Sequence, residues 1–268
     1  MSKIGFIGAG NMGSAIMKGV LKKVPGESIY VSDTNSERVA EFARVYGTIS
    51  STNEEISKIC DFIFLGVKPQ MMKDVLSPLS DVLKDRSGSP VLITMAAGLE
   101  ISTIREFSSF NGQIIRIMPN LPVSVGEGMT LYATSENLTD NNKNEFLSFM
   151  SETGKLLPLP ESLIDAGCSV SGCGPAFVCL FIEALTDAGV KCGLSSSIAT
   201  TLAVQTLLGT SLHLRETSTE AEALRNAVCS PGGSTIKGVE SLKESGLSEI
   251  VAKAIDASFR RNKELGKK

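Results

Sequence analysis

The sequence predicts an α/β protein: an N-terminal doubly wound Rossmann-like domain followed by an all-helical dimerisation domain. Three observations predict it. The first ~160 residues alternate short β-rich apolar runs with helical stretches. The pattern Gly8-Ala9-Gly10-Asn11-Met12-Gly13 follows the first of those runs at once. After Pro158-Leu159-Pro160 the strand pattern stops and helical patterns take over. The expected division is therefore residues 1–160, binding a dinucleotide, and residues 161–268, all helical.

Strands are expected at residues 3–7, 29–31, 62–67, 91–95, 114–118 and 129–133, with helices at 11–23, 36–46, 71–83 and 140–152. The strands are nearly continuous in apolar residues, as in a parallel sheet covered on both faces. In the second half, Gly174-Pro175 opens an apolar helix ending near Gly189, with proline suited to the first turn and glycine to the exit. Further helices are expected at 195–215, 220–229, 235–244 and 247–265. This half is too apolar for a free surface layer, so a second copy of the chain is expected to cover it.

Composition narrows the function. The 268 residues carry 26 Lys+Arg against 29 Asp+Glu, and aromatics are 5%. Neither a basic footprint nor stacking rings points to nucleic acid. The single histidine, His213, rules out a metal site built on several imidazoles and leaves one residue through which a Ser-His-Asp triad could run. Its surroundings read as an ordinary helix face. The six cysteines form no CxxC pair, and the first strand leaves no room for a leader, so a reducing cytoplasm is expected. No run of ~18 uninterrupted apolar residues is present, so no membrane span is expected.

The glycine pattern carries the clearest chemistry. Gly8 allows the tight turn, Gly10 leaves room for a pyrophosphate, and Gly13 lets helix and strand approach. The amides of Asn11 and Met12 then begin a helix whose dipole favours phosphate. Asp33 ends the second strand about 20 residues further on, where an acid bonds the ribose of NAD. Arg38 is near enough to serve a 2′-phosphate instead, and Asp33 also reads as a helix cap. Three more strand ends carry unusual residues: Val67-Lys68-Pro69, Ala96-Ala97-Gly98 and Met118-Pro119-Asn120. Ligands of open α/β sheets sit at such ends, so all three are expected around the cofactor.

Two glycine-rich turns lie in the helical half. Ser230-Pro231-Gly232-Gly233-Ser234-Thr235 leads into a helix and suits a carboxylate or phosphate. Ser171-Gly172-Cys173-Gly174-Pro175 serves equally as a cap, a close-packing turn or a site.

Taken with the glycine pattern and the three strand ends, these turns resemble the pyrroline-5-carboxylate reductase family over nearly the whole chain. The resemblance implies NADPH- or NADH-dependent reduction of the cyclic imine 1-pyrroline-5-carboxylate to L-proline. It also implies a homodimer, often built into decamers. By position it implies cofactor contacts at residues 8–13, Val67, Lys68, Pro69, Ala97 and Gly98, and at Asn53 near the adenosine ribose. Ser230, Gly233, Ser234 and Thr235 match the loop holding the substrate carboxylate, with Thr235 the candidate for bonding the reacting ring. Two departures stand out: Cys173 replaces a usual serine, and Glu220-Ala221-Glu222 replaces a common His-Pro pair.

A 3-hydroxyacid-type dehydrogenase shares this architecture but carries a lysine within the long helix of its second domain. Here residues 176–188 contain none. A regulatory nucleotide sensor would need no second glycine-rich loop.

Overall fold

The computed structural model describes residues 1–86, 88 and 90–265. Eight strands form one sheet: β1 (Ile4–Ile7), β2 (Ile29–Ser32), β3 (Ile49–Ser50), β4 (Phe62–Leu65), β5 (Val91–Thr94), β6 (Gln113–Pro119), β7 (Gly128–Thr134) and β8 (Gly154–Pro158). Their order is β3-β2-β1-β4-β5-β6-β7-β8. The strand order therefore reverses between β1 and β4, where doubly wound sheets open a crevice. Helices α1 (Asn11–Val20), α2 (Ser36–Tyr46), α3 (Asn53–Ile59), α4 (Met72–Leu76), α5 (Ser80–Asp85), α6 (Ile101–Ser108) and α7 (Asp140–Met150) lie among the strands in the chain.

Alternate strand residues feed opposite faces. Phe6, Phe62, Phe64, Ile93 and Ile117 pack with Ile16, Met17 and Phe146 on one side. Ile7, Ile63, Leu65 and Leu92 pack with Ile56, Met72 and Ile104 on the other. Both faces are dry, which explains the uninterrupted apolar strands.

The expected all-parallel sheet needs one correction: β7 runs antiparallel to β6. Only the short segment 120–127 joins them, too short for a parallel crossover, which takes about a dozen residues or more. The strands β3 and β8 and the helices α3 and α6 were not expected. β3 has two residues, and α3 and α6 have seven and eight, too few to show a period.

The remaining helices are α8 (Ile164–Ser171), α9 (Gly174–Lys191), α10 (Ser196–Thr217), α11 (Ala221–Ala227), α12 (Ser234–Glu244) and α13 (Leu247–Leu265). The chain forms two compact units. One comprises Met1–Cys173 together with the end of α13 from Ser258, the other Gly174–Ala257. The first unit includes α8 because Ile164 is buried against Met118, Leu131 and Ala133. Asn262 of α13 also donates to the Asp165 carbonyl and to Ser169 Oγ, each at 3.2 Å.

In the second unit α9 and α10 pack together through small residues. Ala199 and Ala203 are buried, and a Cβ on Gly189 would lie 3.1 Å from the Ala199 Cβ. No residue of α9 is buried in the single chain, and Val178, Leu180, Phe181 and Leu185 are exposed. By mean hydropathy, 1.6 over its best window, Glu161–Lys191 is long and apolar enough to cross a membrane. It contains no run of ~18 uninterrupted apolar residues, because Glu183 breaks its most apolar part.

Candidate active site

The first unit carries a cavity of about 280 Å³ at the carboxyl ends of β1, β2 and β4. Gly8, Gly10, Asp33, Asn53, Val67 and Lys68 line it. Ser32, Thr34, Met71 and Val75, which the sequence did not single out as site residues, line it too. Met71 and Val75 are four apart beyond the Val67-Lys68-Pro69 turn, a spacing that exposes one helix face. That spacing was the available signal.

Backbone geometry explains the glycines. Gly8 has φ +94°, and a Cβ there would meet the Gly66 carbonyl carbon at 2.7 Å. The β1 and β4 exits therefore touch through backbone alone. A Cβ on Gly13 would come 2.7 Å from the Gly8 carbonyl oxygen. Gly10 differs: nothing lies within 4 Å of its notional Cβ, so the backbone is open to an incoming group. Gly10 caps α1 with no side-chain acceptor, and the first turn of α1 contains no acid. An uncapped helix start at an open glycine is a cradle for phosphate. The pyrophosphate of a dinucleotide fits it.

Asp33 is engaged within the fold. Its Oδ2 accepts the Ala9 N–H at 2.6 Å and its Oδ1 accepts the Asn35 N–H at 2.8 Å. Arg38 Nη1 stands 3.9 Å from Oδ2. The cap of α2 is Asn35, whose side chain accepts the Arg38 N–H at 3.1 Å. Asn53 opens α3 behind a capping box. Thr52 Oγ1 accepts the Glu55 N–H, and the Glu55 carboxylate accepts the Thr52 N–H. That bond, with one from Ser51 Oγ, holds the Glu55 carboxyl below the usual carboxylate range.

Ala9, Asn11, Met12, Gly13, Pro69, Ala97, Gly98 and Asn120 do not line this cavity. Gly98 takes φ +78° in the turn after β5. The Asn120 amide joins two segments: Nδ2 donates to the Ser171 carbonyl at 3.0 Å, and Oδ1 accepts the Met129 N–H at 2.8 Å. The amides of Gly172 and Cys173 both donate to the Cys168 carbonyl, closing the end of α8.

The second unit holds the other glycine-rich turn. The Gly233 N–H donates to the Ser230 carbonyl at 3.0 Å, and Gly232 sits at φ +73°. Gly233 caps α12 without a side-chain acceptor. Ser234 and Thr235 then occupy the first turn and are exposed in the single chain. A helix start with no side-chain cap, and with hydroxyl residues in its first turn, is a position suited to an anion. His213 is an exposed residue of α10.

Comparison with known proteins agrees with this anatomy. Residues 161–265 match the pyrroline-5-carboxylate reductase dimerisation family, and residues 3–98 match a family described as NADP oxidoreductase, coenzyme F420-dependent. The pyrroline-5-carboxylate reductase of Methanosarcina acetivorans is 37% identical, over 99% of this chain and 98% of its own. Pyrroline-5-carboxylate reductase 3 of Danio rerio is 36% identical over 99% of this chain and 92% of its own. Among solved structures, the pyrroline-5-carboxylate reductase of Coxiella burnetii superposes with a TM-score of 0.94 at 32% identity, covering 100% of this chain and 99% of that one. The Plasmodium falciparum pyrroline carboxylate reductase with NADP bound gives 0.85 at 32% identity, covering 99% and 98%. This full-length similarity, in a chain with glycine-rich turns at the starts of α1 and α12, places it in the pyrroline-5-carboxylate reductase family.

Proposed function

We infer that the protein reduces 1-pyrroline-5-carboxylate to L-proline, the last step of proline biosynthesis, using NADPH or NADH. The observation that carries this is the pairing of two anion cradles in one chain: the open Gly10 at the start of α1, and the Ser230–Thr235 turn at the start of α12. The first suits a pyrophosphate and the second a substrate carboxylate.

The bound nicotinamide supplies the hydride. The chain supplies orientation. Gly8, Gly10 and the amides of Asn11, Met12 and Gly13 receive the pyrophosphate, and Asn53 faces the adenosine side. Val67, Lys68, Pro69, Ala97, Gly98 and Asn120 shape the strand ends around the cofactor. Ser230, Gly233 and Ser234 hold the carboxylate, and the Thr235 hydroxyl bonds the carboxylate or the ring nitrogen. A protonated cyclic imine is already electrophilic, so correct placement lowers the barrier without an acid–base pair. The division of labour falls near residue 160, cofactor before it and substrate after it. The protein self-associates through its helical half; we place it in the cytoplasm as a dimer that assembles further into a decamer.

The test is a spectrophotometric assay of NADH or NADPH oxidation with pyrroline-5-carboxylate. Proline formation coupled to cofactor oxidation is the expected result. Cofactor binding without turnover would favour a nucleotide-sensing regulator.

A further inference from the structure

We propose that Asp33 is a positioning residue that latches the phosphate loop, and that it does not read the cofactor's ribose. This rests on the dinucleotide reading of the β1–β4 crevice.

Three hydrogen bonds hold the Gly8-Ala9 turn. The Gly8 N–H donates to the Ser32 carbonyl at 2.8 Å. The Ala9 N–H donates to Asp33 Oδ2 at 2.6 Å, and the Ala9 carbonyl accepts from Ser14 Oγ at 2.6 Å. Ala9 itself is fully buried. Asp33 is thus the bond between the exit of β2 and the residue at the centre of the glycine-rich turn. Its second oxygen is taken by the Asn35 N–H, and its side chain is 11% exposed.

Two consequences follow. A charge-assisted bond this short is among the stronger ones a fold can make. It holds Gly8 in its left-handed conformation and leaves the following amides, not that of Ala9, for the phosphates. The negative charge would otherwise repel a pyrophosphate. Two N–H donors and the Arg38 guanidinium at 3.9 Å offset it. A carboxylate spent in this way contributes to holding either nucleotide, and contributes equally, because both share the pyrophosphate.

The experiment titrates NADH and NADPH separately into wild type, Asp33→Ala and Asp33→Asn, by calorimetry or nicotinamide fluorescence. Melting without nucleotide is recorded for each. The latch predicts that Asp33→Ala weakens both nucleotides by the same factor, roughly tenfold or more, with their ratio unchanged. Asp33→Asn keeps the shape and one acceptor, so it recovers part of the loss for both. NADH weakened while NADPH tightens would make Asp33 a ribose reader and overturn the proposal. Lower melting with both affinities intact would make it a fold residue only and overturn it too. Wild type binding neither nucleotide overturns the dinucleotide reading and the proposal with it.

Discussion

Arg116 Nη2 lies 3.1 Å from Asp165 Oδ1, and this pair fastens β6 to α8. The guanidinium is 2% exposed and also bonds Glu161 Oε1 at 3.3 Å. That same Glu161 oxygen accepts the Ile101 N–H at 2.8 Å. One buried cation therefore gathers α6, β6 and α8 beneath the strand ends.

Removing both carboxylates would strand a buried charge. Such losses cost about 3–5 kcal/mol. The double substitution Glu161→Gln, Asp165→Asn should lower the urea midpoint by that much stability, and Asp165→Asn alone by less. An unchanged midpoint in the double variant would show that the pair is incidental.

The two neighbouring glycines should fail in different ways. Gly8 needs a positive φ and has no space, so Gly8→Ala should cost about 1–3 kcal/mol in strain before any contact is counted. Gly10 has φ −60° and open space. Gly10→Ala should keep the melting temperature without cofactor and weaken NADPH binding roughly tenfold, about 1.4 kcal/mol. Normal NADPH affinity in Gly10→Ala would remove the pyrophosphate from this turn.

Thr235 lies in the first turn of α12, beside amides that no side chain caps. A hydrogen bond to a charged group is worth about 1.5–3 kcal/mol, or roughly 10- to 150-fold. Thr235→Ala should lower kcat/KM for the imine by that factor and leave cofactor affinity unchanged. Thr235→Ser should restore most of the activity. A lower Tm with normal kinetics would assign the residue to helix capping.

Self-association should run through the apolar face of α9. Leu180 is 62% exposed and Phe181 39% in the single chain. Phe181→Asp should convert a sedimenting dimer, or a multiple of it, to monomer. Wild-type monomer at micromolar concentration would contradict this directly.

Burial pushes the Cys60 thiol up to about 12, from an ordinary value near 9.0. The unfolded thiol ionises first, so this group has no effect below pH ~9 and erodes stability as pH rises from there towards 12, by up to about 1.4 kcal/mol per unit. Cys60→Ala should flatten the alkaline fall in the urea midpoint. An unaltered slope would mean that other groups dominate it.

Local sequence determined much of this protein. Apolar runs set β1, β4, β5 and β6, because strands covered on both faces admit no polar alternation. Gly8, Gly10 and Gly13 were legible because a positive φ, an open approach and a close packing each exclude a side chain. Gly174-Pro175 and the long apolar helix behind it were legible for the same local reasons. Tertiary structure decided the rest. The direction of β7 was already limited by its short connection to β6, so there packing added only the pairing with β8. The two-residue β3 exists only because β2 offers it an edge. The bond that Asp33 accepts from the Ala9 amide, 24 residues earlier in the chain, carried no local signal. The unusual strand end at Asn120 was visible in the sequence, but its bonds to Met129 and Ser171 were not. A carboxylate or amide carries no mark of the partner it will meet. Spacing along the chain fixes what is locally allowed, and only packing brings distant donors and acceptors within about 3 Å of one another.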